Sequence, residues 1–146
     1  MPSVTLPIGT GGGLIDIVVR FINSERDPQP SAAIKSPNRQ LIRALIDTGA
    51  DCTVVDHSII RVLGLQPEGC MLVHSPSASA IPRVAHRFPL ALGIWLEREF
   101  FEPPVQLSAI ESDFAGLPFQ ALLGRDIVNL AKMVYDGPSG TFTLTF

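Results

Sequence analysis

Charge is scarce in this 146-residue chain: Asp, Glu, Lys and Arg make up 17% of it, against about 25% in an ordinary soluble domain. With 46% hydrophobic residues and a mean hydropathy of +0.30, that scarcity excludes intrinsic disorder for most of the length. Positive charge is scarcer still, 11 Lys and Arg against 14 Asp and Glu, a formal net charge of −3. No basic run or basic helix face supplies the footprint that binding a phosphate backbone requires, so nucleic acid is excluded as the expected partner. Cysteine is limited to Cys52 and Cys70, with no CxxC pair. That is too few for a disulfide framework, and both read as free thiols. Runs of ~18 apolar residues, the length needed to cross a bilayer, are missing, and residues 1–7 lack the basic and apolar segments of a leader. The chain therefore reads as soluble and cytoplasmic, with a membrane anchor conceivable only outside it. What is plentiful is turn chemistry: 12 Gly and 13 Pro favour many short strands over long helices. The length suits one core that buries roughly 68–70% of the unfolded surface, so residues 1–146 read as a single domain.

Strands are predicted over residues 4–8 and 14–22, joined as a hairpin by the glycine-rich turn 9–13, and again over 41–46, after a polar, proline-bearing loop. Residues 71–74, 81–85, 88–96 and 100–107 read as further strands, and 133–135 with 141–146 as a closing hairpin. Two short helices are expected. Asp56 caps one over 57–63, with Gly64 just past its end and Ile59, Val62 and Leu63 sharing a face; Asp126 caps the other over 127–131.

Chemistry concentrates in the segment 44–55, Ala-Leu-Ile-Asp-Thr-Gly-Ala-Asp-Cys-Thr-Val-Val, an apolar strand that delivers Asp47 into a tight turn. A carboxylate there needs hydrogen bonds, because an ionised, unpaired group in apolar surroundings costs several kcal/mol. Gly49 lets the backbone come close and offers its N–H, and Thr48 adds a hydroxyl that both donates and accepts. Downstream, 121–127 reads Ala-Leu-Leu-Gly-Arg-Asp-Ile: an apolar strand, a glycine and a charged pair opening a helix.

In this order and separation the two segments resemble the retropepsins, the single-domain aspartic proteases of retroviruses and their cellular and bacterial relatives. The resemblance implies a mostly β fold, a closed antiparallel barrel with one or two short helices. It makes Asp47 the catalytic aspartate, Thr48 a residue whose hydroxyl bonds across a subunit interface, and Gly49 the glycine behind the carboxylate. Asp51 becomes the second acidic residue, which holds substrate backbone and pairs with Arg125; Ala50 lies beside the substrate channel and Gly124 supports the loop. The cover over the site falls on residues 72–83, with Ser77 and Ala78 as substrate contacts. This stretch departs from the family, having Pro76 and Pro82 but no glycine, and prolines remove donors and stiffen a loop.

Carboxylate-only peptide hydrolysis needs two acids side by side, one ionised to take a proton from water and one protonated to donate to the scissile carbonyl. Asp16, Asp27, Asp56, Asp113 and Asp136 have no Thr-Gly or Ser-Gly after them. The partner of Asp47 is therefore expected to be Asp47 of a second copy, in a two-fold symmetric homodimer acting on a polypeptide. Residues 141–146 alternate polar and apolar side chains and, with 3–6, read as open edges; the resemblance implies that they interleave between subunits. A catalytically silent, dimeric peptide-binding or assembly module is the second reading, suggested by the glycine-free cover. No cofactor is expected. Metal is not expected either, because the spacings of His57, His74, His86, Cys52 and Cys70 match no ligand pattern. Gly9 to Gly13 precede a strand and no Gly-Lys-Ser/Thr, so they form a turn rather than a phosphate cradle.

Overall fold

The computed structural model describes residues 1–21, 39–75, 81–96, 99–103 and 106–146. Ser77 and Ala78, and most of the polar loop expected before residue 39, lie outside the described residues.

The chain opens with the expected hairpin, β1 (Ser3–Gly9) and β2 (Gly12–Arg20). Gly12 begins β2 at φ +98, and a Cβ there would meet Leu45 Cδ1 at 2.9 Å, so conformation and space both require glycine. From Ile17 to Arg20, β2 is paired on one edge with β3 (Arg39–Ile46) and on the other with β6 (Arg83–Leu96). Ile17, Val18 and Val19 are all buried, a run instead of an alternation, so both faces of the strand are covered here.

β6 merges the two strands expected at 81–85 and 88–96. Arg83 to Arg87 pair with β5 (Gly69–Val73), Ala91 to Ile94 with β2, and Pro89 sits between, opposite Ser108. Its missing N–H therefore costs no bond to β5 or β2, which is why a proline does not end the strand. The single strand expected at 100–107 is instead two, β7 (Glu99–Phe101) and β8 (Leu107–Ser112).

The described residues place eleven strands in one mixed sheet, where the expected sheet was antiparallel. The reason lies in β9 (Ala121–Leu123), which slots between β3 and β4 (Val54–Asp56). β3 enters the loop 47–53 and β4 leaves it in the opposite direction, so any strand between them is parallel to one. β9 runs parallel to β3 and antiparallel to β4, and β4 in turn runs parallel to β8.

A second correction concerns the chain ends. β11 (Thr141–Thr145) pairs with β1 along one edge, from Ser3↔Thr145 to Pro7↔Thr141, and with β10 (Lys132–Asp136) along the other. Residues 141–146 are not the open edge that alternation suggested, because β1 and β10 flank them; residues 3–6 pair with β11 along one edge, and β2 meets β1 only at Ile8 and Gly9. One face of this three-stranded unit carries a hydroxyl ladder, Thr5 to Thr143 at 2.8 Å and Ser3 to Thr145 at 3.2 Å. The other face buries Val4, Phe142 and Leu144 in the main core.

Helix α1 (His57–Val62) follows β4 directly and begins as expected, with Asp56 Oδ1 accepting from Ser58 N at 2.8 Å. It ends with Gly64 at φ +64, where Gly64 N donates to Arg61 O and Leu65 N to Ile60 O, a Schellman closure with Ile60 and Leu65 both buried. Val62, expected on the inward face, is exposed; Ile60 takes its place.

Asp56 does more than cap. Its Oδ2 accepts from the buried N–H of Phe114 at 2.8 Å, tying α1 to the segment after β8. Burial pushes this carboxyl up, yet hydrogen bonds from Ser58 and Phe114 and the charge of His57 outweigh it and leave it below its ordinary value. A depressed carboxyl contributes stability that is present above the unfolded pKa, about 3.9, and lost as pH falls through the folded value. Asp56→Ala is expected to cost roughly 2–4 kcal/mol at pH 7, from the lost cap and the stranded Phe114 N–H. Urea melts read the cost, and the gap between variant and parent should narrow towards pH 3.

Candidate active site

The site is built around β9. Ala44, Leu45 and Ile46 of β3 lie beside Ala121, Leu122 and Leu123, and the last tie on that edge is Asp47 N to Leu123 O at 3.1 Å. There β3 ends, and the chain arches over the end of β9 to return as β4. Asp47 sits at the start of the arch, half-buried. Gly49 N donates to Asp47 Oδ1 at 2.8 Å, and Ala50 N donates to Asp47 O at 3.2 Å. The tight turn read from the sequence is present, and its backbone holds the carboxylate.

A second element clamps the arch from outside. Gly124 leaves β9 and opens α2 (Arg125–Val128). Arg125 N donates to Ala50 O at 2.9 Å, one guanidinium nitrogen donates to Thr48 O at 2.7 Å, and the other meets Asp51 Oδ1. The pairing of Asp51 with Arg125 that the resemblance implied is thus formed. Asp51 has 80% and Arg125 42% of its side chain exposed, so the ion pair itself contributes little to stability. What the planar fork supplies is geometry: one side chain fixes a carbonyl and a carboxylate of the same loop.

Gly124 is where this close approach is made possible. Its φ of −81 is open to any residue, but a Cβ would lie 2.4 Å from the carbonyl carbon and 2.5 Å from the carbonyl oxygen of Cys52. The two backbones pack in contact, and only hydrogen fits between them.

Two residues carry more of the arch than the sequence reading gave them. Asp126, expected to cap α2, lies inside it; the N-cap is Gly124, which makes no side-chain cap bond. The carboxylate of Asp126 instead accepts from Thr53 N and from Thr53 Oγ1, both at 2.8 Å. The same Thr53 hydroxyl accepts from Gly124 N at 3.3 Å. Thr53 is fully buried, so each of its polar groups needs a partner, and all have one. The available signal was a lone hydroxyl at the head of the apolar run Thr53-Val54-Val55.

Thr48 and Asp51 are exposed and Ala50 is half-buried, all on the arch with Asp47. The structure brings Asp47, Thr48, Gly49, Ala50, Asp51, Gly124 and Arg125 together. Cys52, half-buried, packs against the small cluster of Val54, Ala85, Ile110 and Phe114. Burial pushes its thiol above the ordinary value and the Asp126 carboxylate adds to that, against Arg87. It stays a thiol at neutral pH and is no activated nucleophile. Cys70, read from sequence as a free thiol, is exposed on β5. Among the described residues no three His, Cys, Asp or Glu side chains gather where they could hold a metal ion, and no helix is long and apolar enough to cross a membrane.

No protein-family model matches the chain, and no curated protein matches it in sequence. Among solved structures it is similar to a retropepsin-like aspartic protease from Rickettsia conorii, with a TM-score of 0.52 over 97% of this chain and 89% of that one. Only 13% of residues are identical. What the two chains have in common is therefore a fold, and it is the retropepsin-like fold that this mostly β chain resembles.

Proposed function

We propose that this chain is an aspartic endopeptidase whose dyad is Asp47 from each of two copies, acting on extended polypeptide. The observation that carries the reading is the half-buried Asp47 carboxylate, gripped by Gly49 N–H at 2.8 Å on an arch that Arg125 ties down at Thr48, Ala50 and Asp51. Fixing a reacting group before substrate arrives is what makes it effective. The likeness of fold to a retropepsin-like aspartic protease supports the same reading.

In this mechanism one Asp47 is ionised and its two-fold mate protonated. The ionised carboxylate takes a proton from water as the water oxygen attacks the scissile carbonyl carbon, while the protonated one gives its proton to the carbonyl oxygen. The neutral tetrahedral diol then collapses. Its C–N bond breaks as the carboxyl that gained a proton passes it to the departing amine, and the other carboxylate recovers its own from the diol. A substrate strand would run beside the arch, with Asp51 and Ala50 next to its backbone, and Thr48 would donate across the two-fold axis.

Like carboxylates this close share one proton, so the rate should follow a bell-shaped pH profile with its maximum below pH 7. The test is incubation of the protein with an unfolded substrate and with a whole proteome from pH 3 to 9, with and without pepstatin. Released peptides are read by mass spectrometry. New termini that peak in acid and vanish with pepstatin are expected. Cleavage rising steadily through pH 9 would assign the activity to another mechanism, and no cleavage at any pH would leave a silent binding module as the better reading.

A further inference from the structure

Residues paired across neighbouring strands project from the same face of a sheet, so the pairings trace one face outward from the Asp47 arch. Leu45, near the end of β3, lies beside Leu122; Leu122 lies beside Val54, Val54 beside Ile110, and Ile110 beside Arg87 of β6. Val54, Ile110 and Ala85 are buried there, and Cys52 and Leu122 pack half-buried against them. The face is thus apolar from the arch as far as β6, where it ends on the exposed side chain of Arg87.

Three contacts hold Arg87 in place without neutralising it. Its carbonyl accepts from Glu68 N at 2.8 Å, its Nε donates to Ser108 Oγ at 3.0 Å, and the Ser108 hydroxyl donates to the Glu68 carboxylate. The serine stands between acid and guanidinium, so that among the described residues Arg87 forms no ion pair and its two Nη groups are uncommitted. The surrounding chain adds no counter-charge: residues 69–96 contain His74, Arg83, His86 and Arg87 but no Asp or Glu, in a protein whose net charge is −3. The charge also reaches back towards the arch. Burial and the Asp126 carboxylate raise the Cys52 thiol, and Arg87 pulls it the other way.

We propose that Arg87 is a specificity-determining residue of the cleft, selecting an Asp or Glu side chain in the polypeptide bound along this face. Resting on the endopeptidase reading, this adds a substrate class to it: apolar residues around the cut bond, with an acid further out. With Nε held by Ser108, the two Nη groups form the open end of a fork that a carboxylate meets with two parallel bonds. Arg87 stands four strand spacings from Leu45, at most about 19 Å, and its side chain reaches back over part of that distance. An extended substrate advances about 3.4 Å per residue, so the acid falls roughly three to five residues from the cut bond. Two copies related by a two-fold axis present the same face twice, which places the preference on both flanks. A contact this far from the reacting atoms is the same in ground state and transition state, and it acts on KM and not on kcat.

The test uses rhodamine-labelled twelve-residue peptide pools with mixed Leu, Ile, Val, Phe and Ala at the central four positions and either Glu or Gln at the third to fifth positions on each side of the centre. The Asp47→Asn protein reports binding by fluorescence anisotropy, and the parent reports cleavage. At pH 5.5 the Glu pool is expected to bind about three- to tenfold more tightly than the Gln pool, the range for a partly exposed charge-assisted contact. Where it is cleaved it should show the lower KM at similar kcat. The advantage should fade towards pH 3, because the glutamate side chains protonate below about 4.3. Adding Arg87→Gln, which keeps a donor near Ser108, should make the pools bind alike, and Arg87→Glu should favour a third pool carrying Lys at the same positions. Thermal melts of both variants should match the parent, since the side chain is exposed. Equal binding of the Glu and Gln pools with Arg87 in place, an Arg87→Gln protein that still prefers Glu, or binding of neither pool would each overturn the assignment. Selection of the Glu pool through Arg87 with no pool cleaved would keep the assignment and remove the protease reading. Cleavage without selection would do the reverse.

Discussion

Asp47→Asn is expected to lower peptide cleavage by at least about 10³–10⁴-fold while fold and dimer remain. An amide cannot take a proton from water at working pH, and it cannot share one with its mate, so both acid and base roles go at once. Stability should hardly change. The bond that fixes the side chain runs from Gly49 N to Oδ1 of Asp47, and the amide oxygen of Asn accepts it equally well. The ion pair of Arg125 with Asp51 does not involve Asp47. A thermal melt and sedimentation velocity measured beside the initial rates separate lost chemistry from lost structure. A variant that cleaves near the parent rate would remove Asp47 from the mechanism and the dyad with it.

Gly124→Ala should be nearly as damaging by an unrelated route. The added methyl would sit 2.4 Å from the Cys52 carbonyl carbon and 2.9 Å from Thr53 N. These are backbone atoms, held where they are by Asp126 on Thr53 and by β4 pairing, so they cannot swing aside as a side-chain tip would. Relief requires β9 and the arch to separate, which would stretch Gly124 N to Thr53 Oγ1, already 3.3 Å, and loosen Arg125 N from Ala50 O. We expect a loss of about 3 kcal/mol or more in urea or thermal unfolding, the upper end for overpacking. Activity should fall steeply even in the fraction that folds, because Asp47 rides on the displaced arch. Gly137→Ala is the control: nothing lies within 4 Å of its Cβ position and its φ is ordinary, so its effect should stay within about 0.5 kcal/mol. Equal stability of the two variants would show that the arch tolerates separation from β9.

The parts of the fold that could be read from the chain are those whose partners lie close in sequence. Asp56 bonds to Ser58, Gly49 to Asp47, and Gly64 and Leu65 to carbonyls within one turn, and the residue types alone announce each of these. The arch motif was legible as well, since an apolar strand running into Asp-Thr-Gly admits few local geometries. Errors came where local signals were equally good for several partners. Asp126 has the residue type and position of a helix cap, yet the Thr53 backbone and hydroxyl 73 residues away offer it two donors at once. Residues 141–146 alternate as an edge strand does, yet β1 and β10 flank them. Residues 81–85 and 88–96 read as two strands and are one, held together by different partners along its length.

By itself, then, the sequence determined the mostly β character, the caps of α1, and an aspartate delivered by an apolar strand into a glycine turn. Hydrogen-bonding capacity, φ preference and the period of apolar residues are properties of a short stretch of chain, and they act whatever surrounds it. Only the tertiary structure decided that β9 threads between β3 and β4, that Gly124 is required for contact and not for conformation, and that β11 lies between β1 and β10. A strand offers the same row of N–H and C=O groups on both edges, so its side chains say that it will pair but not with which strand. That choice is made by the whole sheet, where the partners that bury the most apolar surface and leave the fewest backbone groups unpaired exclude the rest.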